Sequence, residues 1–438
     1  MVTILSTSSE ESFKQRFDTT ESVLIPIFVD DVAHPCHNQL SLLYIRFLDN
    51  GDEVVIPFNH SEGKPWAGVP EGRVYKFVPN RKEFQHALPL SKVIDVNLLQ
   101  YVDNGSPMTL KLEDTKAHTL IKRNYPPQLH NVNRIIPLSK QVEACQLLSS
   151  KMVQIIEKYR LNLTDPAFHF LNFNATDVFQ QIESSGVYKD EKLVYSEYNI
   201  FTTTGRPSNR FGGVNFAALN KEDGTRKAFT SRFGKDGVLI LLDYDAYHLR
   251  LIAELIGFKF PPGNVHEYLG KLYFKTATPT AEQYNESKRT SFQLLYGGIT
   301  DEYRHVPFFI EVQKFVDFLW NAFLKNKYIQ SPIGQRKLYE KNMSQIHAQK
   351  LFNYFIQLHE TEHNVMTLEK VLPLFHERQS KLILYTYDSI LIDFDYNDGP
   401  DFIRKVKSTL ECDNSFPVKV YLGSTYHDLV NVTDRFHT

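Results

Sequence analysis

Hydrophobic and polar residues follow the periods of strands and helices in the first half of the chain. Three apolar runs separated by short polar turns, SVLIPIFVDD, QLSLLYIRFLD and DEVVIPFNH, predict three consecutive strands between residues 22 and 60. The segments RVYKFVPN and KVIDVN predict two further strands. From Ser139 to Tyr159 the apolar residues recur at helical spacing, which predicts a long helix, and a shorter helix is predicted around DVFQQIESSGV.

The second half shows the same alternation of predicted strands and helices. GVLILLDYD is continuously apolar and predicts a buried strand that ends at Asp243, followed by a helix over AYHLRLIAELIG. The segment KLILYTYDSILIDFD predicts a tight hairpin of two apolar strands with Asp388 and Ser389 at its tip. Because both strands are so apolar, we expect the tip inside the protein, where a bare carboxylate needs a cation. A helix over GPDFIRKVKSTLE and a strand over PVKVYLGS follow.

The run Pro279–Gly298 predicts a helix with an unusual stripe of side chains. Thr280 can cap its start, and two glycines end it. Side chains four residues apart share one face, which here carries Tyr284, Lys288, Phe292 and Tyr296. A lysine in the middle of a buried stripe needs an anion. One cation beside rings that can stack on a base suits a nucleoside triphosphate.

Composition limits the class of protein. The 438 residues are 42% hydrophobic and 23% charged, with a formal net charge of −2, so a nucleic-acid site has to be a local basic cleft. No apolar run reaches membrane-spanning length, and the first residues lack a signal sequence, which predicts a cytoplasmic protein without a membrane partner. The three cysteines, Cys36, Cys145 and Cys412, show no pairing or metal spacing, as expected in a reducing compartment.

The spacing Lys-x3-Phe-x3-Tyr-Gly resembles the fingers helix of the family A DNA polymerases, the bacterial DNA polymerase I type. Further motifs of that family follow in the same order, namely Thr204-Gly205-Arg206, Asp243-Tyr244, Val265-His266, the amides Asn353 and Gln357, and Asp388. The resemblance implies an α+β right-hand polymerase with palm, fingers and a short thumb behind an N-terminal RNase H-like, exonuclease-like α/β domain. The implied domains are the exonuclease-like domain at 1–115, the thumb at 116–205, the palm at 206–262 and 331–438, and the fingers at 263–330.

In that family the two aspartates matching Asp243 and Asp388 bind two Mg²⁺ ions, and the resemblance implies the same here. It also makes Lys288 a catalytic residue that binds the triphosphate together with His266. Phe292, Tyr296, His248 and Tyr244 are the other implied nucleotide-binding residues. The implied activity is template-directed addition of dNTPs to a primer in DNA replication.

The implied contacts with primer-template DNA fall on six residues. Minor-groove acceptors are shared by all base pairs, so an arginine there tests pair geometry without reading sequence. The resemblance assigns these contacts to Arg206, Asn215, Arg250, Arg336, Asn353 and Gln357. A basic stretch between Lys221 and Lys235 is suited to phosphates.

The chain departs from the family pattern at three positions. His248 stands where DNA-synthesising members carry a glutamate that excludes the ribose 2′-hydroxyl, although a ring is also bulky enough to do so. Tyr284 stands where an arginine clamps the phosphates, and Ser389 follows Asp388 where the family has glutamate. A single-subunit RNA polymerase and a catalytically inactive relative that binds primer-template both stay open as alternatives.

The N-terminal segment lacks the carboxylate set of a proofreading exonuclease. The family opens that set with Asp-x-Glu on the first strand, whereas this chain has Asp30-Asp31-Val32, and Asp95 and Asp103 do not complete it. We therefore expect a vestigial domain without proofreading. A short thumb suggests a processivity or exonuclease partner protein, and the compact domains suggest a bacteriophage origin.

A second motif points to different chemistry. His359-Glu360-Thr361-Glu362-His363 matches the zinc-protease pattern His-Glu-x-x-His, which puts two imidazoles on one face of a helix. Short motifs arise by chance in a chain with 16 histidines, and only His376 offers a third ligand. The sequence therefore favours a coincidental match over zinc hydrolysis.

Overall fold

The computed structural model describes residues 2–4, 10–66, 69–126 and 129–436. These form two compact units, Met1–Ser184 and Ser185–Thr438. No helix in the described ranges is both long and apolar enough to cross a membrane.

The N-terminal unit is built on a six-stranded mixed sheet with strand order β1-β4-β3-β2-β5-β6. Strands β2, β3 and β4 are antiparallel neighbours, while β5 and β6 run parallel to β2. The three consecutive strands and the two further strands predicted from the sequence are confirmed, whereas β1 was not predicted. The strands are β1 Val2–Ile4, β2 Ser22–Phe28, β3 Leu40–Phe47, β4 Glu53–Pro57, β5 Lys76–Val78 and β6 Val93–Asp95.

Both faces of this sheet are covered, which explains why its central strands are apolar at nearly every position. On one face, Leu43 and Ile45 of β3 pack in one cluster with Phe13 and Phe17 of the first helix. Tyr44 points to the opposite face, as alternation along a strand requires, and its hydroxyl lies 3.3 Å from Ser149 Oγ of the long helix. The helices of this unit are α1 Glu10–Thr19, α2 Arg81–Ala87, α3 Val96–Asn104, α4 Lys116–Asn124, α5 Leu138–Tyr159, α6 Pro166–His169 and α7 Thr176–Ser185.

Helix α5 confirms the long helix predicted from the apolar spacing. It buries Val142, Cys145, Leu148, Met152 and Ile156, the predicted face. Because this face packs on the N-terminal sheet, α5 belongs to the first compact unit, although the predicted thumb began at residue 116 and ended at residue 205. The predicted division into five segments stays a prediction.

The C-terminal unit is built on a five-stranded antiparallel sheet with strand order β15-β16-β12-β17-β18. The predicted strand ending near Asp243 lies in the middle, and the predicted hairpin supplies two strands on one side of it. The strands of this sheet are β12 Gly237–Tyr244, β15 Lys381–Thr386, β16 Ser389–Asp395, β17 Val418–Gly423 and β18 Val430–Asn431. Shorter pairs are formed by β7 Val187–Lys189 with β8 Lys192–Val194, by β10 Ser208–Phe211 with β9 Tyr198–Asn199 and β11 Val214–Asn215, and by β13 Tyr328–Gln330 with β14 Lys337–Tyr339.

Within residues 185–436, six α-helices complete this unit, and the start and end of α10 agree with local sequence signals. In α10, Thr280 and Gln283 form a reciprocal capping box, and Gly298 ends the helix with a φ of 106°. A single apolar cluster joins α8 to α12 through residues such as Leu249, Leu295 and Phe352. The helices are α8 Tyr247–Ile256, α9 Val265–Phe274, α10 Ala281–Gly297, α11 Pro307–Asn326, α12 Ala348–Val371 and α13 Pro400–Leu410.

Candidate active site

Two carboxylates from distant parts of the sequence meet in the central sheet of the C-terminal unit. Asp243 lies near the end of β12 and pairs in register with Ser389, the first residue of β16. Asp388 immediately precedes that residue, and its carbonyl oxygen accepts a hydrogen bond from Tyr244 N at 2.9 Å. Thus the sheet register places the two aspartates side by side, 145 positions apart in the chain.

The charges of these two groups disfavour each other. Burial and the neighbouring Asp388 charge raise the pKa of Asp243 to about 6. The protein packed around Asp388 and the charge of Glu360 raise the pKa of Asp388. No basic side chain of the described residues forms an ion pair with either carboxylate. A divalent cation would relieve the repulsion, so the donor set fits Mg²⁺, which typically takes one or two protein carboxylates together with substrate oxygens.

The hairpin tip differs in one respect from the prediction. Its strands are buried as expected, but Asp388 itself reaches solvent, although enough protein surrounds its carboxylate to raise the pKa. The two-residue turn, formed by Tyr387 and Asp388, lies at the edge of the sheet, so its carboxylate is open to a ligand from outside. The expectation of a tip enclosed in the protein was wrong.

The stripe on α10 is only partly buried. Tyr284, Lys288 and Phe292 are half-buried and Tyr296 is 37% exposed, whereas the buried side of the helix consists of Ser287, Thr290, Ser291, Leu294 and Leu295. The stripe therefore does not serve as core. Lys288 Nζ lies 4.9 Å from the centre of the Tyr284 ring, and the rings of Phe292 and Tyr296 are parallel with centroids 6.1 Å apart.

His266 at the start of α9 joins this stripe. Its ring centroid lies 6.2 Å from that of Tyr284 and 6.0 Å from that of Phe292. Burial and the charge of Lys288 lower the pKa of His266 to about 4, so the ring is neutral near pH 7. Its Nδ1 is buried and has no hydrogen-bond partner among the described residues. A buried polar atom without a protein partner is available to a water molecule or a ligand.

His248 is held between two side chains. Its Nε2 lies 2.8 Å from Glu360 Oε1, and its Nδ1 is in hydrogen-bond contact with the Tyr296 hydroxyl. This chain of contacts fixes the ring beside the exposed end of the stripe. Glu360 is fully buried and also pairs with Arg206, whose Nη2 lies 2.9 Å from Glu360 Oε2.

The remaining predicted nucleotide-binding residue, Tyr244, lies elsewhere. It points to the face of β12 opposite to Asp243, stacks on Tyr247 with centroids 4.2 Å apart and donates its hydroxyl to Leu410 O at 3.2 Å. This buried position does not support a nucleotide contact.

Four of the predicted DNA-binding residues are half-buried, so part of each side chain is accessible. Arg206 lies 3.7 Å above the Tyr387 ring, next to the catalytic candidate Asp388. Asn353 donates to Tyr296 O at 3.0 Å, which connects α12 to the end of the stripe. Gln357, one turn further, and Asn215 on β11 are half-buried.

The other two predicted DNA-binding residues have structural contacts. Arg250 donates through Nε to Asp245 O at 3.1 Å. Arg336 is only 6% exposed and lies beside Glu362. Burial raises the pKa of Glu362, and the charge of Arg336 offsets part of that increase. Arg336 is therefore not open to a DNA strand in this structure.

The His-Glu-x-x-His segment is part of the buried helix α12. His363 Nδ1 lies 2.8 Å from the Tyr247 hydroxyl, and neither ring nitrogen of His359 has a hydrogen-bond partner among the described residues. Burial lowers the pKa of both histidines to about 4. The two imidazoles form no group of three metal-ligating side chains within the described ranges. Glu360 of this motif instead holds Arg206 and His248.

Lys419 is a basic residue near the site that the sequence did not reveal. It lies on β17 opposite Asp243 and forms an ion pair with Asp245. Its charge lowers the pKa values of both Asp243 and His266, so it lies near the two predicted ligand-binding groups. A lysine in an alternating strand carries no motif, and only the sheet register places it here.

Comparison with solved structures identifies the fold. The chain is similar to the structure described as the POL domain of Pol1 from M. smegmatis in complex with DNA primer-template and dNTP, with a TM-score of 0.70 and 14% sequence identity. The similarity covers 98% of this chain and 99% of that one. No protein-family model matches the sequence, and no curated protein matches it. The chain therefore has the mixed α/β fold of a DNA polymerase domain.

Proposed function

We propose that the protein is a DNA polymerase of the family A type that adds deoxynucleotides to a primer 3′ end. The observation that carries the proposal is that sheet register places Asp388, the residue before Ser389, beside Asp243 in a polymerase fold, without basic ion-pair partners in the described ranges. Two neighbouring carboxylates without a counter-charge destabilise the folded chain. Divalent cations bound between them would remove this repulsion and supply the catalytic chemistry.

Asp243 and Asp388 would hold two Mg²⁺ ions. When bound, such ions lower the pKa of the primer 3′-hydroxyl and neutralise the triphosphate. Lys288 supplies positive charge for the phosphates. His266, neutral at pH 7, offers one ring N–H to a phosphate oxygen. Phe292 stacks on the incoming base, and Tyr296 closes the pocket around a correct pair.

His248 is proposed to exclude the ribose 2′-hydroxyl. Its contacts with Glu360 and Tyr296 prevent the ring from turning away, so its bulk is available for a steric test of the sugar. Glu360 thus acts as a positioning residue for the His248 ring. Lys419 is proposed to replace part of the charge that Tyr284 does not supply, since it lies near His266 and Asp243.

The N-terminal unit is proposed to be a vestigial exonuclease-like domain without proofreading. Its three antiparallel strands followed by parallel ones support the RNase H-like expectation. Asp30 accepts from Val32 N and His130, Asp31 pairs with Lys122, and Asp95 caps α3. Because these carboxylates are engaged in local structure, we expect Asp30, Asp31 and Asp95 not to form a metal cluster for editing. A 3′-mismatched primer incubated with Mg²⁺ and no dNTP should stay intact, and shortening of that primer would contradict this part.

Primer extension separates the proposal from its alternatives. The purified chain with a primed template, Mg²⁺ and dNTPs should extend the primer, and NTPs should give at least about 10²-fold less product. Synthesis from NTPs without a primer would instead identify an RNA polymerase. Binding of primer-template without any product would identify an inactive relative.

A further inference from the structure

Three metal-ligating side chains meet in the N-terminal unit, outside the proposed polymerase site. His34 and Cys36 lie on the turn after β2, and His86 lies on α2. Their ligand atoms all lie within 4.8 Å of one another, and they are the one such group of three found in the described ranges. We propose that His34, Cys36 and His86 bind a zinc ion.

The spacing of the ligand atoms suits one small ion. Cys36 Sγ and His86 Nδ1 are 3.2 Å apart. In a tetrahedral zinc site the ligand atoms lie about 3.3–3.8 Å from one another, given bonds of about 2.0–2.3 Å. The first pair is slightly closer than this range, and the widest pair, at most 4.8 Å apart, has to approach by about 1 Å or somewhat more.

His86 is oriented by a buried carboxylate. Its Nε2 lies 3.2 Å from Glu183 Oε2 on α7, and the Glu183 side chain is 1% exposed. This contact places the ring proton on Nε2 and leaves a lone pair on Nδ1, which lies 3.2 Å from Cys36 Sγ. Gln180 Nε2 and Ser184 Oγ each lie 3.3 Å from the same nitrogen, so zinc would displace these two contacts. A histidine that ligates through one nitrogen and donates the other to a carboxylate is the usual arrangement in zinc sites. Lys82 Nζ, 2.5 Å from Glu183 Oε1, keeps that carboxylate in place.

The turn at His34 already brings two ligands together. The His-x-Cys spacing puts both side chains on one short turn, where His34 Nδ1 accepts from Cys36 N at 3.2 Å. Coordination through either ring nitrogen of His34 would end this bond, because a neutral imidazole has a single acceptor nitrogen. Metal binding therefore exchanges one local hydrogen bond for one coordinate bond.

The donor set selects the kind of metal. Two imidazoles and one thiolate suit zinc, whereas magnesium and calcium prefer oxygen ligands. Three protein ligands leave one tetrahedral position for water. The ion would anchor the turn after β2 to α2 and, through Glu183, to α7. This site uses none of the groups proposed to bind magnesium in the polymerase reaction.

Metal analysis of the full-length chain tests the proposal. The protein is loaded with zinc, passed over a desalting column and analysed by mass spectrometry for bound metal. We expect about one zinc ion per chain, and Cys36→Ser should reduce the zinc content at least about tenfold. Cys412→Ser is the matched control, since Cys412 is also half-buried but lies in the other unit, and it should retain the ion. An unsubstituted chain without zinc after loading would overturn the proposal.

Two further measurements keep the test valid if Cys36→Ser folds poorly. Cobalt loading of the unsubstituted chain should produce a thiolate-to-cobalt charge-transfer band, which requires a cysteine ligand. His86→Gln should lose the zinc while its circular dichroism stays unchanged. If zinc binds but is lost in His363→Gln instead of His86→Gln, the ion lies in α12 and the assignment to Cys36 is wrong.

Discussion

Asp95 in the N-terminal sheet and the pair Asp243 and Asp388 in the C-terminal unit differ in the contacts that the fold gives to their charge. In the N-terminal unit, Asp95 accepts hydrogen bonds from the backbone N–H groups of Arg81, Asn97 and Leu98. In the C-terminal unit, Asp243 and Asp388 have no ion-pair partner in the described ranges and raise each other's energy. Carboxylates that hold the structure together are thus distinguishable from carboxylates left available for chemistry.

The largest effect is expected for Asp243→Asn. Because the amide cannot replace a carboxylate as a metal ligand, primer extension should fall at least about 10³-fold. Asp401→Asn, an exposed aspartate of the same unit, is the control and should change the rate less than about twofold. Substantial extension by Asp243→Asn would mean that the unpaired carboxylates have no catalytic role.

Lys288 and Lys419 extend the comparison to basic residues. Lys288→Met should lower kcat/KM for dNTPs about 10²-fold, since it removes the charge nearest to His266 on α10. Lys419→Met should cost about tenfold, because Lys419 is already paired with Asp245. Steady-state kinetics on a primed template measures both. An equal loss in the two variants would show that pairing with Asp245 does not limit the contribution of Lys419.

Asp95→Ala should lower stability and leave primer extension nearly unchanged, whereas Asp243→Asn should abolish primer extension. Loss of the α3 cap and of the bond from Arg81 N should reduce the free energy of unfolding by about 2–3 kcal/mol. Primer extension at low temperature should stay within about twofold. Asp103→Ala, an exposed position on the same helix, should change stability by less than about 0.5 kcal/mol. Urea unfolding followed by circular dichroism gives these values.

The pH dependence of stability should differ in sign between Asp243 and Asp30, because the pKa of Asp243 is raised and that of Asp30 is lowered. The pKa of Asp243 is about 6 in the folded chain and near 3.8 when unfolded, so its charge destabilises the fold above pH 6. Asp243→Asn should therefore raise the free energy of unfolding at pH 7 by about 1–3 kcal/mol and have little effect below about pH 4. Thermal or urea unfolding across this range tests the sign.

Asp30 should show the reverse linkage. Burial alone would raise its pKa, but hydrogen bonds from Val32 N and His130 outweigh burial and hold the pKa below its usual value. Asp30→Asn should therefore destabilise the protein at pH 7, by about 1 kcal/mol, with the loss fading as pH falls toward the lowered pKa. A larger loss at low pH than at pH 7 would contradict this.

The smallest effect is expected at His359, a buried polar group used by neither the catalytic proposal nor a hydrogen bond in the described ranges. The pKa of His359 is lowered from 6.5 to about 4 by burial. The free energy of unfolding therefore decreases as pH falls below 6.5, because the unfolded chain binds a proton that the folded chain does not. His359→Phe keeps the stacking on Phe355 and should raise the free energy of unfolding at pH 5 by about 1 kcal/mol more than at pH 8.

Local sequence was sufficient for most helices and strands and for several site residues. The spacing around Lys288 predicted both the helix and the shared face, because side chains four apart on a helix are neighbours in any fold. The apolar run before Asp243 predicted a buried strand for the same local reason. The unpredicted short strand Val2–Ile4 has no such signal, since its pairing with β4 depends on a partner about 50 residues away.

Tertiary packing decided the chemistry around those residues. Alternation along β12 turned Tyr244 away from Asp243, and packing on Glu362 buried Arg336. Glu360 belongs to the segment that matches a zinc motif, but in the folded chain it contacts Arg206 and His248. Cys36, which lacks metal spacing in the sequence, met His86 across 50 residues. Charges and ligands act over a few ångströms, and only the folded chain determines which distant side chains come that close.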